Sequence, residues 1–307
     1  MAKAVVFPGQ GSQFVGMGKD FYDNFESTKM FFEKADEALG YSLSKIMFEG
    51  PEDELKLTQN TQPALVTMSA AVWSLISNKV QADYFAGHSL GEYTAIYAAG
   101  GLSFEETVKA VHNRGKYMQS AVPVGVGAMS AVLGMDEETL VSICSEISKE
   151  GHIVEAANFN CPGQIVIAGN REAVEEASVI LKEKGAKRVL PLPVSAPFHC
   201  SLMIEAKNQM EKYLNNITIS DLNTPIINNV SASIEKENQK IKEGLIKQVS
   251  GTVLWTNSIN KLIENGVDTF IEVGAGQVLS GLIKKINKDV TIINVSTIND
   301  LDKISSL

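Results

Sequence analysis

The chain has 307 residues, and 27 Lys plus Arg against 36 Asp plus Glu leave a formal charge of −9, a length that suits one large domain or two modest ones. With 44% hydrophobic and 21% charged residues, it is too apolar to be disordered and long enough to bury a sizeable core. The acidic balance excludes a nucleic-acid binder whose affinity rests on phosphate neutralisation, so nucleic acid is not an expected partner and an anionic one must meet a local basic patch.

In chain order, residues 3–7 (KAVVF) predict a buried strand that ends in a loop rich in Gly, Pro and Gln. Pro8 interrupts this run at once, so it lacks the long apolar centre of a secretory signal and a cytoplasmic location is expected. Helical patterns follow to about residue 78. The uncharged stretches 57–78 and 117–136 do not read as membrane spans: the first carries Gln59, Asn60, Gln62, Pro63, Ser69 and Ser74, the second Pro123, Gly125, Gly127 and Gly134. Residues 82–86 (ADYFA) predict a second strand running into Gly87-His88-Ser89-Leu90-Gly91 and a small-residue helix to about residue 99. A further helix covers 103–119, opened by Ser103 with Glu106 three positions on, a capping-box pattern.

Beyond Pro123 six short elements follow in βαββαβ order: strand 126–133, helix 136–149, strands 153–159 and 164–168, helix 171–183 and strand 186–191. That order is a ferredoxin-like unit with its own two-layer core. Gly125 and Gly127 on one side, and Pro191, Pro193 and Pro197 on the other, mark the connections. The expected fold class is therefore α/β, with a parallel-sheet large domain of residues 1–123 plus 195–307 and an inserted small domain of residues 124–194. The larger part is completed by a helix at 201–214, a strand at 225–230, helices at 239–248 and 257–265, a strand at 269–273, and a last helix and strand.

The sharpest chemical signal is the GxSxG of residues 87–91 between a predicted strand and a predicted helix, the setting of a nucleophile elbow with Ser89 at the turn. The helix start offers unpaired N–H groups, Leu90 among them, to an oxyanion. The plainer alternative is a Gly-rich turn with a serine cap. A serine nucleophile needs a base. His88 adjoins Ser89 and would point away from it; His112 and His152 have no special setting. His199, in the loop 194–201 that follows the inserted unit, is the best placed of the four, the alternative being an ordinary solvent-exposed loop histidine. No acid stands out between Ser89 and His199, which suggests a histidine oriented by a carbonyl or amide. The loop 7–13 could place a backbone N–H beside Ser89, and it matches no phosphate-loop pattern. Arg114, 25 positions after Ser89 on a helix, would ordinarily be a surface charge. Cys144, Cys161 and Cys200 read as reduced thiols, and the spacing of cysteines and histidines calls for no metal.

Six segments in order resemble the motifs of the malonyl-CoA:acyl carrier protein transacylases over nearly the whole chain: FPGQGSQ at 7–13, GHSLGEY at 87–93, RGKYMQ at 114–119, NCPGQIVIAG at 160–169, LPVSAPFHC at 192–200 and EVGAGQVLSGL at 272–282. The resemblance implies a hydrolase-like α/β domain with an inserted ferredoxin-like subdomain. It implies ping-pong transfer of malonyl from malonyl-CoA to acyl carrier protein in fatty-acid biosynthesis, through an ester on Ser89 with His199 as base. It also assigns the oxyanion hole to the N–H groups of Gln10 and Leu90, the orientation of His199 to the main-chain carbonyl of Gln248, and the substrate carboxylate to Arg114. Met118 and Phe198 join the substrate-binding residues. Phe198 matches the position associated with malonyl selectivity, where excluding one methyl group is worth roughly 1–3 kcal/mol; family members vary there, some carrying Ser.

No cofactor is expected, coenzyme A entering as part of a substrate, and the chain is expected to be a monomer. The alternatives are a serine esterase or thioesterase, a malonyltransferase of a polyketide or polyunsaturated fatty-acid pathway, and a non-catalytic carrier-binding module, against which intact Ser89, His199 and Arg114 speak. Lys182, Lys184, Lys187 and Arg188 with Glu183 make a local +3, and Lys284, Lys285 and Lys288 with Asp289 a local +2. These are the expected docking patches for coenzyme A and an acidic carrier protein.

Overall fold

The computed structural model describes residues 2–194 and 196–306. Ser195, inside the 192–200 motif and at an expected domain boundary, lies outside the described residues. Among the described residues ten strands occur in two sheets: β1 Ala2–Phe7, β2 Tyr84–Gly87, β3 Gly127–Leu133, β4 Val154–Cys161, β5 Gln164–Asn170, β6 Arg188–Pro191, β7 Ile226–Ile227, β8 Ile234–Glu235, β9 Val267–Val273 and β10 Thr291–Val295.

The larger sheet has the order β10-β9-β1-β2-β7-β8, parallel throughout except for β8, which pairs antiparallel with β7 at the edge. β1 sits near the centre because its sequence leaves it no wet face: Ala4, Val5, Val6 and Phe7 are all fully buried. Val5 and Phe7 pack into one apolar cluster, Ala4 and Val6 into another on the opposite side, the period of two that a strand imposes. From β1 the chain adds β2, β7 and β8 on one side, then returns to place β9 and β10 on the other. The loops after the parallel neighbours β1 and β2 therefore open side by side at the carboxyl edge of the sheet, the edge where open α/β sheets bind ligands.

The helix Thr58–Ile76 is buried almost all round despite Pro63 inside it, so the uncharged stretch is core. No helix among the described residues is long and apolar enough to cross a membrane. Phe104–Ser120 lies against it, started by the capping box: Ser103 Oγ accepts from Glu106 N at 3.2 Å, and Glu106 Oε2 accepts from Ser103 N at 3.2 Å.

The smaller sheet, ordered β4-β5-β3-β6, is antiparallel, with helices Glu137–Ile147 and Arg171–Glu183 packed on it around a separate apolar cluster. Its edge strand β4 is joined to the larger part by a parallel bridge between Asn158 and Val253, with Phe159 N donating to Val253 O and Val253 N to Ala157 O, each at 2.9 Å.

One local expectation needs correction, and two short elements were not expected. The strand expected at 225–230 lasts only two residues, since Asn228 and Asn229 leave the sheet and turn their amides toward the β2 elbow. Strand β8 and the 3-10 turn Ile298–Ser306 carried too little pattern to be anticipated.

Candidate active site

β2 delivers the chain into a turn too tight for ordinary side chains. A Cβ at Gly87 would stand 1.9 Å from the Gly91 carbonyl, and one at Gly91 would stand 2.2 Å from Phe7 O of β1. Between them Ser89 takes φ 53°, a left-handed value that non-glycine residues hold only when their surroundings enforce it. Asn229 enforces it: its Oδ1 accepts from Ser89 N at 2.7 Å and its Nδ2 donates to Gly87 O at 2.8 Å. The helix Gly91–Ala98 then begins, and Ser89 stands at its head.

His199 also has a left-handed φ, 60°, and is 4% exposed, so it is not the solvent-exposed loop histidine of the alternative reading. Its Nε2 lies 2.7 Å from Ser89 Oγ, and its Nδ1 lies 2.9 Å from the main-chain oxygen of Gln248. A carbonyl only accepts, so the proton sits on Nδ1 and the Nε2 lone pair faces the serine hydroxyl. Burial first, and the Arg114 guanidinium second, push the imidazole down to about 3. It is therefore neutral near pH 7 and free to take a proton.

Arg114 corrects the surface-charge expectation. It is 1% exposed, with Nη1 donating to Gln62 Oε1 at 2.9 Å and Nη2 to Gln248 Oε1 at 2.8 Å and Ser89 Oγ at 3.1 Å. Its Nε has no partner among the described residues. Gln248 is thus used twice, through its main chain for His199 and through its side chain for Arg114. Neither the Gln10 nor the Leu90 backbone N–H makes a hydrogen bond among the described residues, and both residues line the cavity over Ser89.

That cavity, about 170 Å³, lies between the two sheets. Met118 and Phe198 line it from the larger part, Met129, Asn158, Asn160 and Val166 from the smaller sheet. His88 does turn from Ser89, its Nε2 meeting Asn160 Oδ1 at 2.8 Å, and burial lowers its pKa. Ser89, His199, Gln248, Gln10, Leu90, Arg114, Met118 and Phe198 are thus all brought to one place.

Gln62, Glu92 and Asn229 were not singled out from the sequence. Gln62 was only one of several polar residues in an uncharged stretch. Asn229 falls within the strand expected at 225–230. Glu92 lies in the first turn of the helix that Ser89 heads, three positions after it. It is buried, receives Gln248 Nε2 at 2.7 Å, Asn228 Nδ2 at 2.9 Å and Asn229 N at 3.3 Å, and is pushed up to about 7 by that burial despite these bonds.

Residues 4–300 match the family described as Acyl transferase domain. The chain is 51% identical over 294 residues to a malonyl CoA-acyl carrier protein transacylase of Bacillus subtilis, covering 95% of this chain and 93% of that one. Among solved structures it is similar to a malonyl CoA-acyl carrier protein transacylase from Clostridium perfringens, with TM-score 0.95 and 46% identity over 100% of this chain and 96% of that one. It is also similar to the malonyl-transacylase in a complex with a type II PKS acyl-carrier protein, with TM-score 0.96, 41% identity and 99% coverage of both chains.

Proposed function

This chain belongs to the acyl transferase domain family, and from that premise we propose that it moves a malonyl group from malonyl-CoA to the phosphopantetheine thiol of an acyl carrier protein. Relatives named for that reaction support the reading. Within the site, one observation carries it: a buried guanidinium 3.1 Å from the candidate nucleophile. A desolvated cation at the end of a small cavity favours an acyl group that ends in a carboxylate, which a guanidinium can bind bidentately. An esterase for neutral acyl groups would gain nothing from it.

In the first half-reaction Ser89 Oγ attacks the thioester carbonyl as its proton passes to His199 Nε2, and the backbone N–H groups of Gln10 and Leu90 receive the oxyanion. The C–S bond breaks, His199 returns the proton to the coenzyme A sulfur, and a malonyl ester remains on Ser89. The carrier thiol then gives its proton to His199 and attacks the ester, and Ser89 recovers its hydrogen. Gln248 orients His199, and Arg114 holds the distal carboxylate. Met118 and Phe198 bound the acyl group. Acyl transfer of this kind needs no cofactor. The reading treats residues 124–194 as an inserted domain that covers the nucleophile from above, a division that the separate sheets and cores support.

Similarity to a polyketide malonyl-transacylase keeps that pathway as the second reading beside fatty-acid biosynthesis, and offering each carrier protein as acceptor separates them. Ser89→Ala should take no covalent label from radioactive malonyl-CoA, and Arg114→Ala should lose malonyl transfer while gaining acetyl transfer. Stable labelling of the first variant, or an unchanged preference in the second, overturns the corresponding assignment.

A further inference from the structure

Glu92 is a buried acid that this scheme leaves unused, and its surroundings specify its charge. Three donors meet its two oxygens: Asn228 Nδ2 on Oε1, with Gln248 Nε2 and Asn229 N on Oε2. None can exchange roles. Asn229 donates from its main chain. The Asn228 amide is held because its Oδ1 already accepts from Val230 N, Ser231 N and Ser231 Oγ. The Gln248 amide is held from both ends, since its Nε2 also donates to Ser89 O at 2.8 Å and its Oε1 accepts from Arg114 Nη2. A carbonyl cannot donate and a guanidinium cannot accept. A neutral carboxyl at residue 92 would bring a proton for which these three groups, all donors, offer no acceptor, whereas a carboxylate receives all three without that conflict.

We propose that Glu92 is a positioning residue that acts as an anion, holding the Gln248 side-chain amide in the orientation that aims Arg114 at the acyl group and so selects carboxylate-bearing substrates. The inference rests on the malonyl-transfer reading and deepens it. Glu92 does not line the cavity, so it acts on the substrate only through Gln248 and Arg114. If it loses its charge, the least costly repair turns the Gln248 amide over, which presents Nε2 to Arg114, donor against donor, and displaces the guanidinium.

This predicts a direction opposite to that of simple electrostatics. The charged and titratable groups around Glu92 are Arg114 and Tyr93, with His199 and His88 beyond. Burial keeps both histidines neutral and pushes Tyr93 far up, and a guanidinium keeps its proton even where burial lowers its pKa, so Glu92 alone of these titrates near pH 7. By charge alone, neutralising Glu92 removes a negative group near Arg114 and should improve acceptance of malonyl. Through the amide, the same change should impair it.

The experiment compares the ratio of kcat/KM for malonyl-CoA to that for acetyl-CoA in the full-length protein, Glu92→Gln and Glu92→Asp, with melting temperatures recorded for each. The ratio should fall by about tenfold in Glu92→Gln, the size of one hydrogen bond to a charged group, and recover in part in Glu92→Asp. Because Glu92→Gln could fail to fold, the unaltered enzyme supplies an independent measurement: its malonyl-to-acetyl ratio should fall as pH drops from 8 to 6. A ratio unchanged or raised in a folded Glu92→Gln protein, or one that rises with acid in the unaltered enzyme, overturns the proposal while leaving malonyl transfer intact. Absence of malonyl transfer by the unaltered enzyme would remove the functional reading and this inference together.

Discussion

At the scale of single residues, the fold removes basicity from His199 and acidity from Glu92 by the same means, burial. His199 therefore stays neutral near pH 7 whereas Glu92 exchanges between its two forms there, and each leaves a signature in stability. The unfolded histidine titrates near about 6.5 and the folded one at about 3, so between those values the unfolded chain binds more protons. Stability from this residue is therefore complete above the upper value and is lost progressively as pH falls toward the lower one. Glu92 works in the opposite sense: raised to about 7 when folded, it favours the folded state as pH falls through that value. Comparing a variant with its parent cancels the Glu92 contribution. Melting temperature should drop more steeply from pH 7 to pH 5 in the unaltered protein than in His199→Gln, and parallel curves would contradict a buried neutral imidazole.

At the scale of elements, the elbow shows how much of a site a short motif can specify. The GxSxG of residues 87–91 was legible because the constraint is local, with glycines required where backbones approach to within a side chain's width. The capping box at Ser103 and Glu106 was legible for a similar reason, since both of its hydrogen bonds close within one turn. The strand at 225–230 misled because Asn228 and Asn229 answer to Glu92 and Ser89, more than 130 positions away, and β-propensity carries no record of that pull. An Ala at residue 91 would force Phe7 O and the elbow apart. Overpacking of this kind costs typically about 1–3 kcal/mol, so Gly91→Ala should melt several degrees lower and lose most of its labelling by malonyl-CoA. A variant with the parent's melting temperature and labelling rate would show that the turn tolerates a methyl group.

At the scale of the whole molecule, the −9 charge and anionic substrates set a problem that the tertiary fold addresses locally. The two basic segments, about 100 positions apart in the chain, approach each other across the smaller sheet. Leu133 of β3 pairs with both Arg188 and Gln164, and Lys285 Nζ donates to Gln164 Oε1 at 3.2 Å. Gln164 pairs in turn with Cys161 of β4, next to Asn160 on the cavity wall. A ridge in this place would steer coenzyme A phosphates and an acidic carrier toward Ser89. Reversing the charges at Lys187, Arg188, Lys284 and Lys285 should raise the carrier-protein KM and flatten its salt dependence, and unchanged values of both would dismiss the ridge.

The amino-acid sequence by itself determined the α/β alternation, the βαββαβ order of the inserted segment, the serine at the elbow and the cap that starts the Arg114 helix. Each follows from chemistry within a few residues: periodicity, turn geometry and unpaired N–H groups at helix starts. Only the tertiary structure decided that Arg114 is buried, that its guanidinium reaches Ser89, that one glutamine serves both His199 and Arg114, and that Glu92 stands behind them as an anion. Those facts depend on groups up to 159 positions apart losing their water together, and the energy of a buried charge is set by the neighbours that replace that water, which no local pattern encodes.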